Sequence, residues 1–323
     1  MVSIDERDTQ LRVRLLVESR RTSNSSGNSG LLIEVNSLTK VFGHGNSQVN
    51  AVTDLSFSAK PGRVTGFLGP NGAGKTTSLR CLVNLVAPTT GSATFSGISY
   101  HDLDQPAHNI GVSLGFTGIH PGRSAFSHLK VLATAAAISK TRIQVVLDQV
   151  GLTSAANRKA GSFSTGMKQR LSLATALLGD PSVLILDEPV NGLDPEGIVE
   201  IRHLLRGLAA EGRTILLSSH VLSEVEQTVD DVVIISGGKL VKDCTLSELV
   251  ATTKSVVNVK SPNLEKFNSF EAGAIETLGD SIAIHGSSLA EVGHFAFING
   301  IELHDLHEAK QDLEEVFLEL TGS

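Results

Sequence analysis

The chain of 323 residues is long enough for about two domains at roughly 150 residues each and for a sizeable core. Hydrophobic residues make up 41% and charged residues 19%, which excludes a disordered chain. The formal charge of −7 argues against a protein built to coat nucleic acid, and two cysteines, Cys81 and Cys244, are too few for a disulfide framework and are expected as buried, reduced thiols.

Residues 1–30 read as an arm and linker. Met1 to Arg21 has no apolar h-region, and no apolar stretch follows Arg20-Arg21, so neither a secretory nor a twin-arginine signal is expected. Leu11 to Leu15 alternates as a strand would, but is read as a disordered arm. Thr22 to Gly30 is a polar, flexible linker by composition. No run approaches 18 consecutive apolar residues, so no spanning segment is expected and the chain is read as cytoplasmic.

Strands and helices then alternate. Leu31–Val35, Ala51–Ser58 and Val64–Leu68 read as strands, and Lys75–Leu85 as a helix. Val183–Leu186 is purely apolar, as a parallel strand buried on both faces requires. Pro195–Ala210 carries Ile198, Ile201, Leu204, Leu205 and Leu208 at helical spacing, and Thr214–Leu217 and Val232–Ile235 are further short strands. The alternation predicts an α/β fold with a largely parallel sheet. Beyond it, Ser255–Lys260, Ser281–His285 and Ile301–His304 read as strands. A final helix, Gln311–Leu320, presents Leu313, Val316, Phe317 and Leu320 on one face.

Charge divides the chain at the same place. Residues 245–323 hold four Lys, no Arg and thirteen acidic residues, a net of −9, which leaves +2 on residues 1–244. The expected organisation is therefore an arm over 1–30, an α/β domain over 31–244 and a small acidic α+β domain over 245–323. Within the last, His304 and His307 are read as an exposed pair rather than metal ligands.

Gly69-Pro70-Asn71-Gly72-Ala73-Gly74-Lys75-Thr76-Thr77 fits G-x-x-x-x-G-K-[ST] between an apolar strand and a helix. Such glycines let the backbone curl so that successive N–H groups converge on phosphate oxygens, at a helix N-terminus that favours anions. Lys75 would reach the β- and γ-phosphates of a nucleotide, and Thr76 would offer a hydroxyl to Mg²⁺. Asp187 ends the apolar run Val183–Leu186, where it can hold Mg²⁺ directly or through water. Glu188 is one residue further and expected to point elsewhere by strand alternation; it is the candidate general base, or water orienter, for attack on the γ-phosphate.

With these residues in place, the chain resembles the ATP-binding-cassette ATPases. Phe163-Ser164-Thr165-Gly166-Met167-Lys168-Gln169-Arg170-Leu171 is similar to the family's signature motif, and lies 23 residues before Asp187 when counted from Ser164. Asn191-Gly192-Leu193-Asp194 resembles the D-loop, and Ser218-Ser219-His220 the switch-histidine segment. The resemblance, over about residues 32–240, implies a P-loop NTPase of ABC type with a mixed sheet and a helical signature subdomain. It implies ATP and Mg²⁺ as cofactors and two cassettes paired head to tail, as a homodimer or heterodimer. Ser164 and Gly166 would then contact the γ-phosphate on the partner's Lys75, and His220 the γ-phosphate and the attacking water. Asp194 would bridge the protomers or cap a helix ahead of Pro195. Phe42 would stack on adenine or be a half-buried strand residue. Gly115 aligns with the Q-loop position, where the family normally carries a glutamine; either the alignment shifts by a residue or two, or hydrolysis is coupled differently, with one metal contact and the link to the transport partner affected.

His120 to Ser124 and the ending Asp312 to Thr321 resemble the multidrug and antibiotic exporter branch, in which residues 116–160 would dock on a permease. The implied function is the ATP-hydrolysing subunit of an exporter of drug, antibiotic or lipid-like compounds. It would power a polytopic permease on a separate chain from the cytoplasmic face of the membrane. The alternative is a soluble ATPase of the family acting on ribosomes or DNA. A second cassette or a coiled-coil insertion would favour it and neither is seen, and the +2 outside the tail gives no nucleic-acid footprint. No Asn-Lys-x-Asp motif supports a G protein.

Overall fold

The structure, a computed structural model, describes residues 30–115, 118–251, 255–270, 273–310 and 313–322. The arm and linker expected over residues 1–29, and the first two residues of the expected helix Gln311–Leu320, lie outside them. The chain divides into two compact units after Leu246.

The first unit begins with β1 (Ile33–Phe42) and β2 (Val49–Ala59), followed by β3 (Val64–Leu68) and α1 (Lys75–Leu82). Next come β4 (Thr90–Phe95), the short α2 (Pro106–Asn109) and β5 (Ile110–Ser113). Three helices follow, α3 (Ala125–Ala135), α4 (Thr141–Gln149) and α5 (Thr165–Leu177). The unit closes with β6 (Val183–Asp187), α6 (Pro195–Ala210), β7 (Thr214–Ser219), β8 (Asp231–Ser236) and β9 (Lys239–Thr245). One six-stranded sheet has the order β5-β6-β7-β3-β8-β9, parallel except for β9. A second, antiparallel sheet has the order β2-β1-β4.

Every residue of β3 and β7 is buried, as is β6 up to its last residue. This is why Val183–Leu186 of β6 and Ile215–Leu217 of β7 read as continuous apolar runs rather than alternating ones. The core includes Ile33, Leu38 and Leu55 of the antiparallel sheet, Phe67, Ile185 and Val233 of the parallel one, and Leu79 of α1. Phe57 stacks on Phe67 with ring centroids 5.1 Å apart. Helices α3, α4 and α5 pack on one another, and α5 also packs against β5. Helix α1 stops at Leu82, short of the expected Leu85, because Asn84 turns to φ +55° and ends the helical path.

The second unit follows α7 (Leu246–Ala251) with β10 (Ser255–Lys260), β11 (Ala274–Leu278), β12 (Ser281–His285), α8 (Leu289–Ile298), β13 (Asp305–Lys310) and α9 (Leu313–Thr321). Its sheet is antiparallel throughout, in the order β11-β12-β10-β13. A 3₁₀ turn over Leu264–Ser269 stands where a first helix would complete a split βαβ arrangement. Val257, Val259, Phe267, Ile282, Ile284, Val292 and Ala296 form its own core.

Two expectations are corrected here. The last strand is Asp305–Lys310, not Ile301–His304: the Ile301 N–H closes α8 on the Ala296 carbonyl, and pairing with β10 begins at Asp305 opposite Lys260. Cys81 is buried, but Cys244 is only half-buried because it lies on β9, the exposed edge strand. His304 and His307 are about half exposed and each faces a carboxylate, Glu302 at 3.2 Å and Asp305 at 3.1 Å. Among the described residues no cluster of His, Cys, Asp or Glu could hold a metal ion.

Candidate functional site

Three neighbouring parallel strands, β6, β7 and β3, end at one point, and the chain leaves β3 as a glycine-rich loop there. Ligands bind outside the carboxyl ends of such strands. The loop is tightly held. Gly69 N–H donates to the Ser219 carbonyl at 3.3 Å and Ala73 N–H to the Pro70 carbonyl at 3.1 Å. Gly74, with φ +101°, caps α1. Lys75 is 7% exposed and donates from Nζ to the carbonyls of Gly69 and Pro70, while Glu188 Oε1 lies 3.8 Å from Nζ. Burial holds its ammonium below the ordinary lysine range, opposed by the nearby carboxylates of Glu188 and Asp187.

Asp187, the last residue of β6, accepts from Thr76 Oγ1 at 2.8 Å and from Ser218 Oγ. Ser218 is its register partner on β7. Glu188 does not continue the strand. Its φ is +50°, so the backbone turns into the left-handed region, and this turn rather than strand alternation separates the two carboxylates. Both Glu188 oxygens lie within 3.0 Å of His220 Nδ1. Against an ionised carboxylate Nδ1 is the donor, which in a neutral ring leaves Nε2 as an acceptor.

These groups border a cavity of about 510 Å³. Pro70 to Thr77, Glu188, Asn191 and His220 line it, with Val49, Asn50 and Ala51 of β2 on the opposite wall. The donor set fits what the sequence suggests. A curled loop with a buried lysine suits polyphosphate, and a hydroxyl and a carboxylate, both hard oxygen ligands, suit Mg²⁺. Gly69, Lys75, Thr76, Thr77, Asp187, Glu188 and His220 are thus brought together.

The remaining expected residues lie elsewhere. Phe42 is exposed at the end of β1 with Lys40 Nζ 4.9 Å from its ring centroid; its pairing partner Val49, not Phe42, lines the cavity. Ser164 caps α5 by accepting from the Met167 N–H at 3.2 Å, and Gly166 packs against Gly192 and Leu193. Asp194 caps α6 by accepting from the Gly197 N–H at 3.2 Å. Neither Ser164, Gly166 nor Asp194 touches the loop's cavity within one chain.

Ser218, Gln169 and Asn191 carry no assigned role in the sequence reading, yet all three contact the carboxylate-bearing turn. Gln169 Nε2 donates to the Glu188 carbonyl at 2.9 Å and the Asn191 N–H to the same oxygen at 3.2 Å. The signal for Ser218 is its place at the end of a buried strand beside Asp187. The signal for Gln169 is its place within the signature-like segment Phe163–Leu171.

Gly115 sits just past β5, on the wall of a second cavity of about 360 Å³ shared with Thr165, Gln169, Asp187, Glu188 and Asn191. The position therefore shares a cavity with both carboxylates.

The sequence profile of the ABC transporter family matches residues 52–191. The bacitracin transport ATP-binding protein BcrA of Bacillus licheniformis is 37% identical over 302 residues, covering 90% of this chain and 97% of that protein. The lantibiotic transport ATP-binding protein SrtF of Streptococcus pyogenes is 37% identical over 210 residues, covering 65% of this chain and 89% of that protein. A solved ATP-binding subunit of an ABC transporter matches with a TM-score of 0.60 and 28% identity, over 68% of this chain and 92% of its own.

Proposed function

Because the chain belongs to the ABC transporter family, as one of its ATP-binding subunits, we propose that it hydrolyses ATP to drive an exporter of drug, antibiotic or lipid-like compounds. The observation that carries the reading is the single carboxylate of Glu188, set between the phosphate-loop lysine and His220 at the mouth of the loop. Relatives named for bacitracin and lantibiotic transport support export over action on ribosomes or DNA.

In this reading the loop N–H groups and Lys75 bind the polyphosphate. Thr76 and Asp187 would hold Mg²⁺, which when bound neutralises charge on the phosphates. Glu188 accepts a proton from the attacking water. His220 donates through Nδ1 to Glu188 and so fixes the carboxylate's direction, with Nε2 turned to the water or phosphate. Phe42, paired with the cavity-lining Val49, would stack on the adenine. Ser164 and Gly166, remote from their own loop, serve the nucleotide of a second cassette, homologous or identical, and Asp194 lies at the same junction. Domains over 31–244 and 245–323 follow the charge division, the first carrying this chemistry.

No described helix is long and apolar enough to cross a membrane; in this reading the permease is a separate chain, met at the cytoplasmic face. An apolar cavity of about 650 Å³ between β5 and the C-terminal ends of α3 and α5, with Ile110, Val112, Leu132 and Ile138 on its walls, supports docking in the helical region. Affinity capture of the tagged chain from solubilised membranes is expected to bring down a polytopic membrane protein. Recovery with ribosomes or DNA, and no membrane protein, would overturn the exporter reading.

Gly115 allows a second check. A Cβ there meets no atom within 4 Å, although φ is +83°, and a side chain in that region costs about 1–2 kcal/mol. Gly115→Gln is expected to shift the Mg²⁺ concentration for half-maximal hydrolysis downward by about two- to ten-fold, one added oxygen contact being worth about 1 kcal/mol against that strain. Superimposable Mg²⁺ titrations would show that the side-chain position is unused.

A further inference from the structure

Glu188 holds a backbone conformation that a residue with a Cβ adopts only when its surroundings impose it. Its φ is +50°, and both of its peptide groups are tied down. The N–H donates to Ser218 Oγ at 3.1 Å and the Ser218 carbonyl at 3.3 Å. The carbonyl accepts from the Asn191 N–H at 3.2 Å, within the turn itself, and from Gln169 Nε2 at 2.9 Å, the one contact that reaches it from another element. Ser218 belongs to the adjacent strand of the same sheet, but Gln169 comes from α5, five residues after its cap Ser164.

Gln169 is 4% exposed, and Leu171, Leu173 and Ala174 beyond it on α5 are core residues. A buried amide without a bonded partner is costly, so its one hydrogen bond from Nε2 defines where it points. We propose that Gln169 is a positioning residue that holds the Glu188 peptide in its turned conformation, and so couples the start of α5 to the base of its own chain. The coupling half rests on the head-to-tail pairing proposed above. The N-terminus of α5 then meets the nucleotide on the partner copy, while Gln169 on the same rigid helix steers the base acting on its own nucleotide. Occupancy of one site is thereby felt at the base of the other.

The first test is Gln169→Leu, with Gln169→Met as a second variant of closer length should the first fold poorly. Both remove the donor and keep apolar volume. The expected result is a kcat lower by about ten- to a hundred-fold with KM and the Kd of a fluorescent ATP analogue changed less than about two-fold, the pattern of a lost transition-state interaction. A merely structural role would instead lower Tm and weaken nucleotide binding together. An unchanged kcat in a folded variant overturns the proposal.

The second test uses mixed dimers purified with two tags. Gln169→Leu and Glu188→Gln in one copy, opposite a wild-type copy, leave one complete site and about half the wild-type turnover, whereas the same changes in opposite copies leave almost none. The reverse order would mean that Gln169 acts on the partner's site, and equal rates would mean that it does not act through Glu188; either overturns the proposal. If no ATP-dependent dimer forms at all, the pairing fails, while the kcat against KM comparison in the unmixed variant still decides the positioning role.

Discussion

Glu188→Gln is expected to bind ATP at least as tightly as the wild type and to turn it over about 10²- to 10⁴-fold more slowly, the range for loss of a general base. The amide is nearly isosteric, and the turn at Glu188 is held through its backbone by Ser218, Gln169 and Asn191, so the local structure should survive. The amide cannot accept the proton of the attacking water. Binding gains instead of losing, because the substitution removes a negative charge 3.8 Å from Lys75 Nζ, where the phosphates must sit. With chemistry stopped, the nucleotide-bound closed pair should accumulate, visible as an ATP-dependent shift to twice the mass in gel filtration. Near-normal steady-state hydrolysis would remove Glu188 from the mechanism.

The parts legible in the sequence were those where one physical demand dominates. β3, β6 and β7 are buried on both faces, so they are dominated by apolar residues, without interruption over Val183–Leu186 and Ile215–Leu217, and the loop after β3 must be glycine-rich to curl. Asp187 and Glu188 stood out because two acids end such a run. The strands that were not read lie at edges or carry small polar residues. β4 is Thr90–Phe95 with only Phe95 fully buried, and β9 is an exposed edge bearing Lys239, Lys242 and Asp243. Helix α8 was missed because its residues are apolar on several faces, although Ser288 and Glu291 form a capping box at its start. The site was harder than its motifs suggest. Spacing could not reveal that Glu188 leaves the strand through a left-handed turn, nor that Gln169 reaches it from α5, since both depend on how separate elements dock.

Gly74→Ala separates that backbone geometry from the motif's chemistry, since it alters no phosphate-binding side chain. The new Cβ would lie 2.4 Å from the Ala51 carbonyl oxygen, at a residue with φ +101°. The clash is with backbone on β2, and no rotamer relieves it. β2 is in turn pinned there: the Thr53 N–H donates to the Gly238 carbonyl at 2.8 Å, and the Gly238 N–H to the Ala73 carbonyl at 3.1 Å. Relief therefore has to come from the loop, whose N–H groups would turn away from their common focus. Nucleotide affinity is expected to fall by at least about 100-fold, near 2.7 kcal/mol, with a lower Tm. Gly72→Ala is the matched comparison. Its φ is +82°, but its Cβ would meet nothing within 4 Å, so it carries only the left-handed cost of about 1–2 kcal/mol and should lose about ten-fold at most. Equal losses in calorimetric titrations with ATP would show that strain alone governs the loop. A much larger loss for Gly74 would show that the loop's grip on phosphate depends on β2 pressing against it, a contact between two sheets that the nine-residue motif does not encode.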